Sequence, residues 1–455
     1  MSTNKSNKPE LRFKGFSDDW EQRKFSDVFT GLQNNTLSRS ELNYESGTVK
    51  NVHYGDVLIK FGDYIDASKE ELPFINDDSK VENFKGSFLH NGDIVIADTA
   101  EDETVGKCTE IQGVDDIKLI SGLHTIPCRP KEEYGAKFLG YYMNSSAYHA
   151  QLIPLMQGIK VTSISKSALQ DTNMIIPKSV DEQTIIGEYF SNLDHLITLH
   201  QRKYDNLKII KKSMLDNLFP KNGEKVPKWR FKGFNNDWEQ RKLSDIYNDI
   251  GNAFVGTATP YYVEKGHFYL ESNNVKDGQI NHKTEVFIND KFYEMQKAKW
   301  LHTGDMVMVQ SGHVGHAAVI PKELNCLAAH ALIMFRNPKV KIEPYFLNYQ
   351  YQTNNAKKKI ENITTGNTIK HILASDMQEF GVDVALYREQ EKIAKYFRNL
   401  DNLITLHQRK IIYILKEVFI WIILIKRVVL KKPLSLSYRI MVGRKRLLSI
   451  LQNRI

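Results

Sequence analysis

The sequence predicts an α+β protein with a pseudo-two-fold internal repeat, in which two globular domains alternate with two long helices. Three observations lead to this prediction. The segment 12–24 returns as 230–242, shifted by 218 positions, and the segment 192–203 returns as 399–410, shifted by 207. Between these matched segments, each half holds a stretch of roughly 150 residues with little shared identity. A duplicated frame around divergent inserts indicates one scaffold that presents two different surfaces.

The long helices are predicted from apolar residues spaced along a heptad seam. In the first helix these residues are Ile186, Tyr189, Leu193, Leu196, Leu207 and Ile210, and in the second they are Ile393, Tyr396, Leu400 and Leu403. Proline and glycine end the first helix at Pro220 and Gly223. The two seams pack either on each other or each on its own domain, and the spacing alone leaves both arrangements open.

The divergent inserts are predicted to share one α+β fold. Gly92-Asp93 leads into an apolar run at 94–97, and Gly304-Asp305 leads into a similar run at 306–309. Each pattern is typical of a turn followed by a buried strand. Aromatic residues at helical spacing predict short helices near 136–143 and 343–351.

These elements divide the chain into five predicted regions. A first insert domain with its entry segment spans 1–180, and the first long helix spans 181–220. A second insert domain spans 221–387, a second long helix spans 388–425 with atypical sequence after 410, and a basic tail spans 426–455. The tail carries nine Lys or Arg and no Asp or Glu, so the net charge of +8 leaves about −1 for residues 1–425. The basic balance is therefore no evidence that the body of the protein binds nucleic acid.

The second repeat ends abruptly at Lys410. The first copy continues as a polar amphipathic helix, whereas the second becomes strongly apolar from Ile411 to Ile425. Lys416 and Glu417 interrupt this stretch, so it is not predicted to cross a membrane. We predict a shifted reading frame or a recombined gene end. If the other frames of the coding DNA after codon 410 encode nothing like residues 204–218, that prediction is wrong.

The sequence offers no evident catalytic motif. It has no Asn/Asp-Pro-Pro-aromatic loop of an adenine methyltransferase and no phosphate-binding Gly-x-x-x-x-Gly-Lys-Ser/Thr loop. Asp78 and Asp116 each precede a lysine by two positions, as nuclease carboxylates do, but such triplets arise by chance in a lysine-rich chain. His313, His316 and His330 offer metal ligands, but Gly315 favours a turn with an ordinary histidine pair, so no metal site is predicted. Three cysteines without a close-spaced pair are typical of a reducing cytoplasm.

Two polar, basic turns at corresponding places in the two halves are candidates for DNA contact. Lysine and hydroxyl groups bind phosphates, and Asn and Lys read base edges. The alternative is that each turn is a solvated loop that caps a helix. The candidate residues are Lys160, Thr162, Ser163 and Lys166 in the first half, and Asn367, Thr368, Lys370 and His371 in the second.

Over about residues 10–410 the sequence resembles the specificity subunit of type I restriction–modification systems. The resemblance is carried by the two Trp-Glu-Gln-Arg-Lys segments, the passage from Met174 through Pro177 to Glu182-Gln183, and the two Leu-Ile-Thr-Leu-His-Gln-Arg-Lys helices. It implies that each insert is a target recognition domain for one half of a split, asymmetric DNA site. It further implies that the long helices form an antiparallel coiled coil, which sets the spacing between the half-sites. The apolar sequence after Lys410 departs from the family pattern.

The resemblance also implies partners and the absence of cofactors in this chain. Double-stranded DNA, two methyltransferase subunits and translocating restriction subunits are the expected partners. S-adenosylmethionine, ATP and magnesium are expected on those subunits, and the chain itself is expected to be non-catalytic and cytoplasmic. Two alternatives are a bifunctional DNA-modifying enzyme with an unrecognised motif and a non-DNA repeat scaffold.

Overall fold

The computed structural model describes residues 9, 11–366 and 369–429, apart from the side chains of residues 83, 85 and 419–429. Most of the predicted basic tail at 426–455 therefore lies outside the described residues. The chain divides into two units, one formed by residues 1–201 and 409–455, and the other by residues 202–408. Both long helices contribute to both units.

The first unit is built from short strands and helices that precede the first long helix. A five-stranded sheet has the order β2-β11-β7-β9-β5, a four-stranded sheet has the order β10-β4-β6-β3, and β1-β13 and β12-β8 form two small pairs. The strands are β1 Glu21–Lys24, β2 Phe29–Gly31, β3 Leu42–Asn43, β4 Lys50–Val52, β5 Tyr64–Asp66, β6 Phe74–Ile75, β7 Ile94–Ala97, β8 Thr99–Ala100, β9 Cys108–Gln112, β10 Leu119–Ser121, β11 Thr125–Pro130, β12 Thr162–Ser163 and β13 Asn173–Ile176. The helices are α1 Phe25–Val28, α2 Tyr54–Ile59, α3 Phe138–Asn144, α4 Ser146–His149, α5 Lys166–Gln170 and α6 Val180–Asn217.

The second unit repeats the central antiparallel sheet of the first. Its main sheet has the order β15-β24-β21-β22, which matches β2-β11-β7-β9, and a second sheet has the order β16-β20-β17-β23, with small pairs β14-β25 and β18-β19. The strands are β14 Glu239–Lys242, β15 Tyr247–Asn252, β16 Tyr262–Val263, β17 His267–Leu270, β18 Val275–Lys276, β19 Gln279–Ile280, β20 Phe287–Ile288, β21 Met306–Val309, β22 Ala317–Val319, β23 Ala328–Ala329, β24 Leu332–Pro338 and β25 Gly381–Val384. The helices are α7 Leu243–Ile246, α8 Asp290–Met295, α9 Pro344–Tyr351, α10 Asn354–Ile363, α11 Ala374–Gln378 and α12 Tyr387–Val429.

The predicted common fold of the two inserts is confirmed. The strands predicted after Gly92 and Gly304 are β7 and β21, and every residue in both is buried. The predicted short helices are α3 and α9. Both strands form because a Gly-Asp turn ends the preceding loop and is followed by four consecutive apolar residues, which are buried in the sheet.

Each duplicated entry segment is fastened to the start of a long helix by a buried ion pair. The Arg12 guanidinium donates to both carboxylate oxygens of Glu182, at 2.6 Å each, and Arg230 donates to Glu389 at 2.7 and 2.8 Å. Both carboxylates are buried, and hydrogen bonding to Glu389 raises the pKa of Arg230. Trp20 adds a third donor to Glu182 at 3.3 Å. The entry segment is thus a structural joint, as its position before each insert predicts.

A glutamine follows each of these glutamates and closes the same joint from the other side. The Gln183 side chain accepts from the Gly135 N–H at 2.9 Å and donates to the Pro177 carbonyl at 2.8 Å. Gln390 accepts from the Glu343 N–H at 2.9 Å and donates to the Ala385 carbonyl at 2.7 Å. The duplicated Glu-Gln pair therefore fixes where each long helix begins.

Within the second unit, α6 and α12 run antiparallel. Phe219, just beyond the end of α6, stacks on Phe397 with ring centroids 6.1 Å apart. Eight residues earlier, the Lys211 ammonium lies 2.7 Å from the Asp401 carboxylate. Residue numbers therefore increase along α12 as they decrease along α6, so the two helices are antiparallel here, as the resemblance implies.

Part of the predicted heptad seam is wrong. Ile186, Ile393 and Leu400 are buried, and Tyr189, Leu193, Leu207 and Tyr396 are partly buried against the cores, but Leu196, Ile210 and Leu403 are exposed. Ile197, the next residue after Leu196, is buried instead. The side of a helix that becomes buried is set by the elements that pack on it, which the heptad spacing does not specify.

The atypical sequence after Lys410 continues α12 to Val429. Ile411, Ile414 and Leu415 are buried, and Val418 packs against the apolar core of the first unit. Ile412 and Tyr413 are exposed. Among the residues that the structure describes, neither α12 nor any other helix has enough continuous apolar sequence to cross a membrane.

Candidate nucleic-acid interface

Three of the four candidate residues of the first half, Lys160, Thr162 and Ser163, lie on a closed β-hairpin. The Gln157 N–H donates to the Ser163 carbonyl at 2.9 Å, and the Ser163 N–H donates to the Gln157 carbonyl at 2.8 Å. Gly158 adopts a φ of +111°, and a Cβ at this position would collide with the carbonyl oxygen of Val161. The hairpin shape therefore requires glycine.

This hairpin is anchored at its second strand and exposed at its tip. Thr162 and Ser163 form β12, which pairs antiparallel with β8. Lys160 and Ser163 are exposed, and Thr162 is half-buried. Lys166 is the first residue of α5, whose N-cap is the hydroxyl of Ser165. The structure thus places Lys160, Thr162 and Ser163 on the hairpin and Lys166 three residues beyond it, at the start of α5.

The second half carries the same hairpin, displaced by 208 positions. The Thr365 N–H donates to the His371 carbonyl at 2.9 Å, and the His371 N–H donates to the Thr365 carbonyl at 2.8 Å. Gly366 has a φ of +96°, and a Cβ there would collide with the carbonyl oxygen of Ile369. Lys370 and His371 are exposed, whereas Asn367 and Thr368 lie outside the described residues.

A groove of about 790 Å³ adjoins this second hairpin within the second unit. Lysines from three elements line it: Lys208, Lys211 and Lys212 from α6, Lys357 from α10, and Lys370 from the hairpin. Lys211 and Lys370 are paired with Asp401 and Glu361. Lys212 and Lys357 make no ion pair with any residue that the structure describes, and the five lysines of the lining exceed its four carboxylates, Asp216, Asp277, Glu361 and Asp401, by one.

The histidines of this groove are held by backbone groups. The His313 Nε2 lies 3.0 Å from the Ser272 carbonyl oxygen, and the His316 Nδ1 accepts from the Asp277 N–H at 3.2 Å. Burial lowers the pKa of His316, which keeps this imidazole neutral and suited to accept that bond. Gly315 between them has a φ of +85°, so the pair flanks a turn, as the sequence predicts.

Lys370 was predicted from sequence, but the other four groove lysines were not. Lys208, Lys211 and Lys212 belong to a helix that the heptad pattern assigns to a spacer, and a lysine run on a helix is more often a solvated face. Lys357 begins a lysine run on α10, which is equally typical of a solvated face. Their meeting at one groove depends on the packing of α6 against the second insert, which no local pattern predicts.

Each long helix also displays a pair of leucines from the duplicated segment. Leu196 and Leu199 on α6, and Leu403 and Leu406 on α12, are 38–46% exposed. The two leucines of each pair are three residues apart, so both lie on the same face of their helix. The two pairs occupy matched positions in the two copies of the duplicated segment.

The model of a type I restriction modification DNA specificity domain matches residues 17–208 and again 235–416. The two matches begin 218 positions apart, which is the spacing of the entry segments. They end 208 positions apart, which is the spacing of the hairpins. The chain belongs to this family. It is a specificity subunit of a type I restriction–modification system, and its function is DNA sequence recognition.

Curated and solved relatives agree with this assignment. A protein of Methanocaldococcus jannaschii named as the specificity subunit of the type I restriction enzyme MjaX is 22% identical over 407 residues, covering 86% of this chain and 89% of that protein. The MjaVIII specificity subunit of the same organism is 21% identical over 262 residues, covering 56% of this chain and 61% of that protein. The crystal structure of the S subunit from M. genitalium matches with a TM-score of 0.54 at 13% identity, over 93% of this chain and 100% of that one. The last likeness concerns the fold.

Proposed function

We propose that this specificity subunit reads a split DNA site with its two hairpin-bearing units while two methyltransferase subunits and translocating restriction subunits assemble on it. One observation carries the proposal. The same glycine-dependent hairpin closure stands at the same place in both units, yet the sequence after the glycine differs: Ile159-Lys160 in the first half corresponds to Asn367-Thr368 in the second. Different side chains on matched supports fit two different half-sites.

Within each unit, some residues contact the phosphate backbone and others contact the base edges. Lys160 and Lys166 in the first unit, and Lys370 with the groove lysines Lys212 and Lys357 in the second, supply charge for the phosphate backbone. Such contacts set position without carrying sequence. Thr162, Ser163, Asn367, Thr368 and His371 supply the hydrogen-bonding groups for base edges. Two modules on one chain gain affinity only where both half-sites occur at the right separation.

The exposed leucine pairs are the proposed docking points for the methyltransferases. Leu196 and Leu199 serve one subunit, and Leu403 and Leu406 serve the other. The repeat makes the two surfaces alike, so the same face of the same partner fits each. Each leucine is already more than half buried, so covering what remains supplies less than half of the free energy of full burial, about 1 kcal/mol each, toward such a contact.

Catalysis and its cofactors are assigned to the partners. The chain is proposed to be non-catalytic and cytoplasmic, with S-adenosylmethionine, ATP and magnesium bound by the methyltransferase and restriction subunits. The buried carboxylates Glu182 and Glu389 are used in ion pairs with arginine. Their structural use supports a non-catalytic role for the duplicated acidic positions.

DNA recognition is tested by duplex binding of this chain in complex with its methyltransferase. We expect sequence-selective affinity that falls steeply with salt. Substitution of Lys160 or Lys166 by Ala lowers the affinity for all duplexes alike and reduces the salt slope by about 1 per lost phosphate contact. Lys118→Ala, an exposed lysine before β10, is the control and leaves both unchanged.

Two outcomes would contradict this function. Cleavage or methylation of DNA by the purified chain alone would support a bifunctional enzyme. Equal, salt-independent binding to all duplexes, or no binding, would support a scaffold that does not act on DNA.

Docking is tested by counting methyltransferase subunits bound to leucine variants by native mass spectrometry. The double variant Leu196→Glu/Leu199→Glu is expected to lose one subunit, and Leu403→Glu/Leu406→Glu the other. Ile209→Glu, at an exposed apolar position of α6 outside the duplicated segment, is the matched control and retains both. A chain that ends at Lys410 tests whether the atypical sequence affects the count. Full occupancy in both double variants would exclude this docking surface.

A further inference from the structure

The most exposed of the large apolar side chains that the structure describes stands at the tip of the first hairpin. Ile159 has a relative exposure of 102%, and Val161, two residues later, is also exposed. The strands on either side are polar or basic, with Lys160, Ser163 and Lys166 exposed nearby. An apolar side chain surrounded by lysine and serine side chains is suited to a partner surface that is negatively charged and carries a small apolar group.

The hairpin holds this tip in a defined place. Two backbone hydrogen bonds between Gln157 and Ser163 close it, and pairing of β12 with β8 fixes it to the unit. A β-branched isoleucine has few rotamers, so little side-chain freedom is lost when it makes a contact. Ile159 is therefore presented outward and not collapsed onto its own domain.

We propose that Ile159 enters the major groove and contacts the 5-methyl group of a thymine in the half-site of the first unit. This inference rests on the proposed DNA-reading function and names one determinant of it. The major groove admits a two-stranded ribbon, and the thymine methyl is the apolar group that base-pair edges present there. The surrounding phosphates match the lysines of the hairpin.

The corresponding position in the second half is Asn367 by sequence. An asparagine side chain forms paired hydrogen bonds with adenine, not an apolar contact. The two hairpins therefore carry different chemistry at the same position. This difference predicts that the two half-sites differ at the base pair that each hairpin contacts.

The test replaces thymine by uracil, which removes only the methyl group. Once the target sequence is known, duplexes are made with each thymine of the half-site replaced singly, and their affinity for the complex of chain and methyltransferase is measured. We expect one uracil to weaken binding of the unaltered complex roughly three- to tenfold. The Ile159→Ala complex is expected to bind the thymine and uracil duplexes equally at that position.

Controls separate this inference from the function on which it rests. Ile59→Ala, at an exposed isoleucine that ends α2 in the same unit, should keep the uracil sensitivity of the unaltered complex. If the unaltered complex shows no sequence-selective binding, the proposed function itself is wrong. If it binds selectively but the unaltered and Ile159→Ala complexes respond alike to every uracil, or the half-site has no thymine in either strand, the Ile159 contact is wrong.

Discussion

Lys211 and Asp401 form an ion pair, with 2.7 Å between ammonium nitrogen and carboxylate oxygen, that joins α6 to α12 within the second unit. The Tyr349 hydroxyl donates to the same carboxylate at 2.7 Å. Burial, with Asp401 next to it, raises the pKa of Tyr349, so the phenol remains a donor. The first unit repeats the tyrosine–aspartate contact, because Tyr141 donates to Asp194, the counterpart of Asp401, at 2.8 Å. The lysine is not repeated, since the residue 207 positions after Lys211 is Val418.

Removal of the Lys211 charge should weaken the second unit. Both side chains of the pair are largely buried, so Lys211→Met leaves the Asp401 carboxylate without its cation in a poorly solvated place. We expect a loss of about 2–4 kcal/mol in the free energy of unfolding, measured by urea denaturation. Lys212→Met, the neighbouring lysine without an ion pair among the described residues, should change it by less than about 0.5 kcal/mol. Equal effects of both variants would contradict the assigned role.

The joint between each entry segment and long helix should depend on the shape of arginine and not on charge alone. Arg230→Lys keeps a cation but loses the paired donation to Glu389, whose carboxylate is fully buried. We expect Arg230→Ala to destabilise the second unit by about 3–5 kcal/mol, with only partial recovery in Arg230→Lys. Lys232→Ala, in the same entry segment but exposed, is the control. Thermal unfolding of the three variants measures this, and full recovery by lysine would argue against the bidentate contact.

The hairpin glycines should matter for DNA binding more than for stability. Gly158→Ala and Gly366→Ala place a methyl group against a carbonyl oxygen in a left-handed conformation, so each hairpin must change shape. We expect each to weaken sequence-selective binding tenfold or more while the exposed hairpin leaves the core intact. Gly92→Ala also has a positive φ but meets no atom within 4 Å, and it controls for backbone strain. Unchanged selectivity in both hairpin variants would remove the hairpins from the interface.

The sequence pattern predicted the architecture better than the packing. The repeat located both joints, both long helices and the equivalence of the two hairpins, because duplicated segments fold alike. The heptad spacing misplaced Leu196, Ile210 and Leu403, which are exposed, because tertiary packing decides which side of a helix is buried. Lys212 and Lys357 of the groove were missed because they come from separate elements, α6 and α10. Their proximity is a property of tertiary packing.

The first unit should lose stability on mild acidification through His53. Its Nδ1 caps α2 by accepting the Gly55 N–H at 3.2 Å, and burial, followed by nearby Arg39, lowers the pKa of His53. The unfolded chain therefore takes up a proton near pH 6.5 while the folded one does not, so stability is present above that pH and is lost as the pH falls.

This pH dependence is checked with a cap that does not titrate. Asparagine also caps helices, so His53→Asn should narrow the difference in unfolding temperature between pH 7.5 and 5.5 by roughly 1–3 °C. His90→Asn, at an exposed histidine of the same unit, should leave the difference unchanged. An identical acid sensitivity in His53→Asn would contradict a role for this imidazole.

We propose that the two units together specify one split DNA site, and methylome sequencing of the host with the gene, without it, and with the gene restored tests this. We expect one bipartite adenine-methylation motif, with two different halves separated by a fixed gap, to disappear with the gene and to return with it. If no bipartite motif depends on the gene, the two units do not specify such a site.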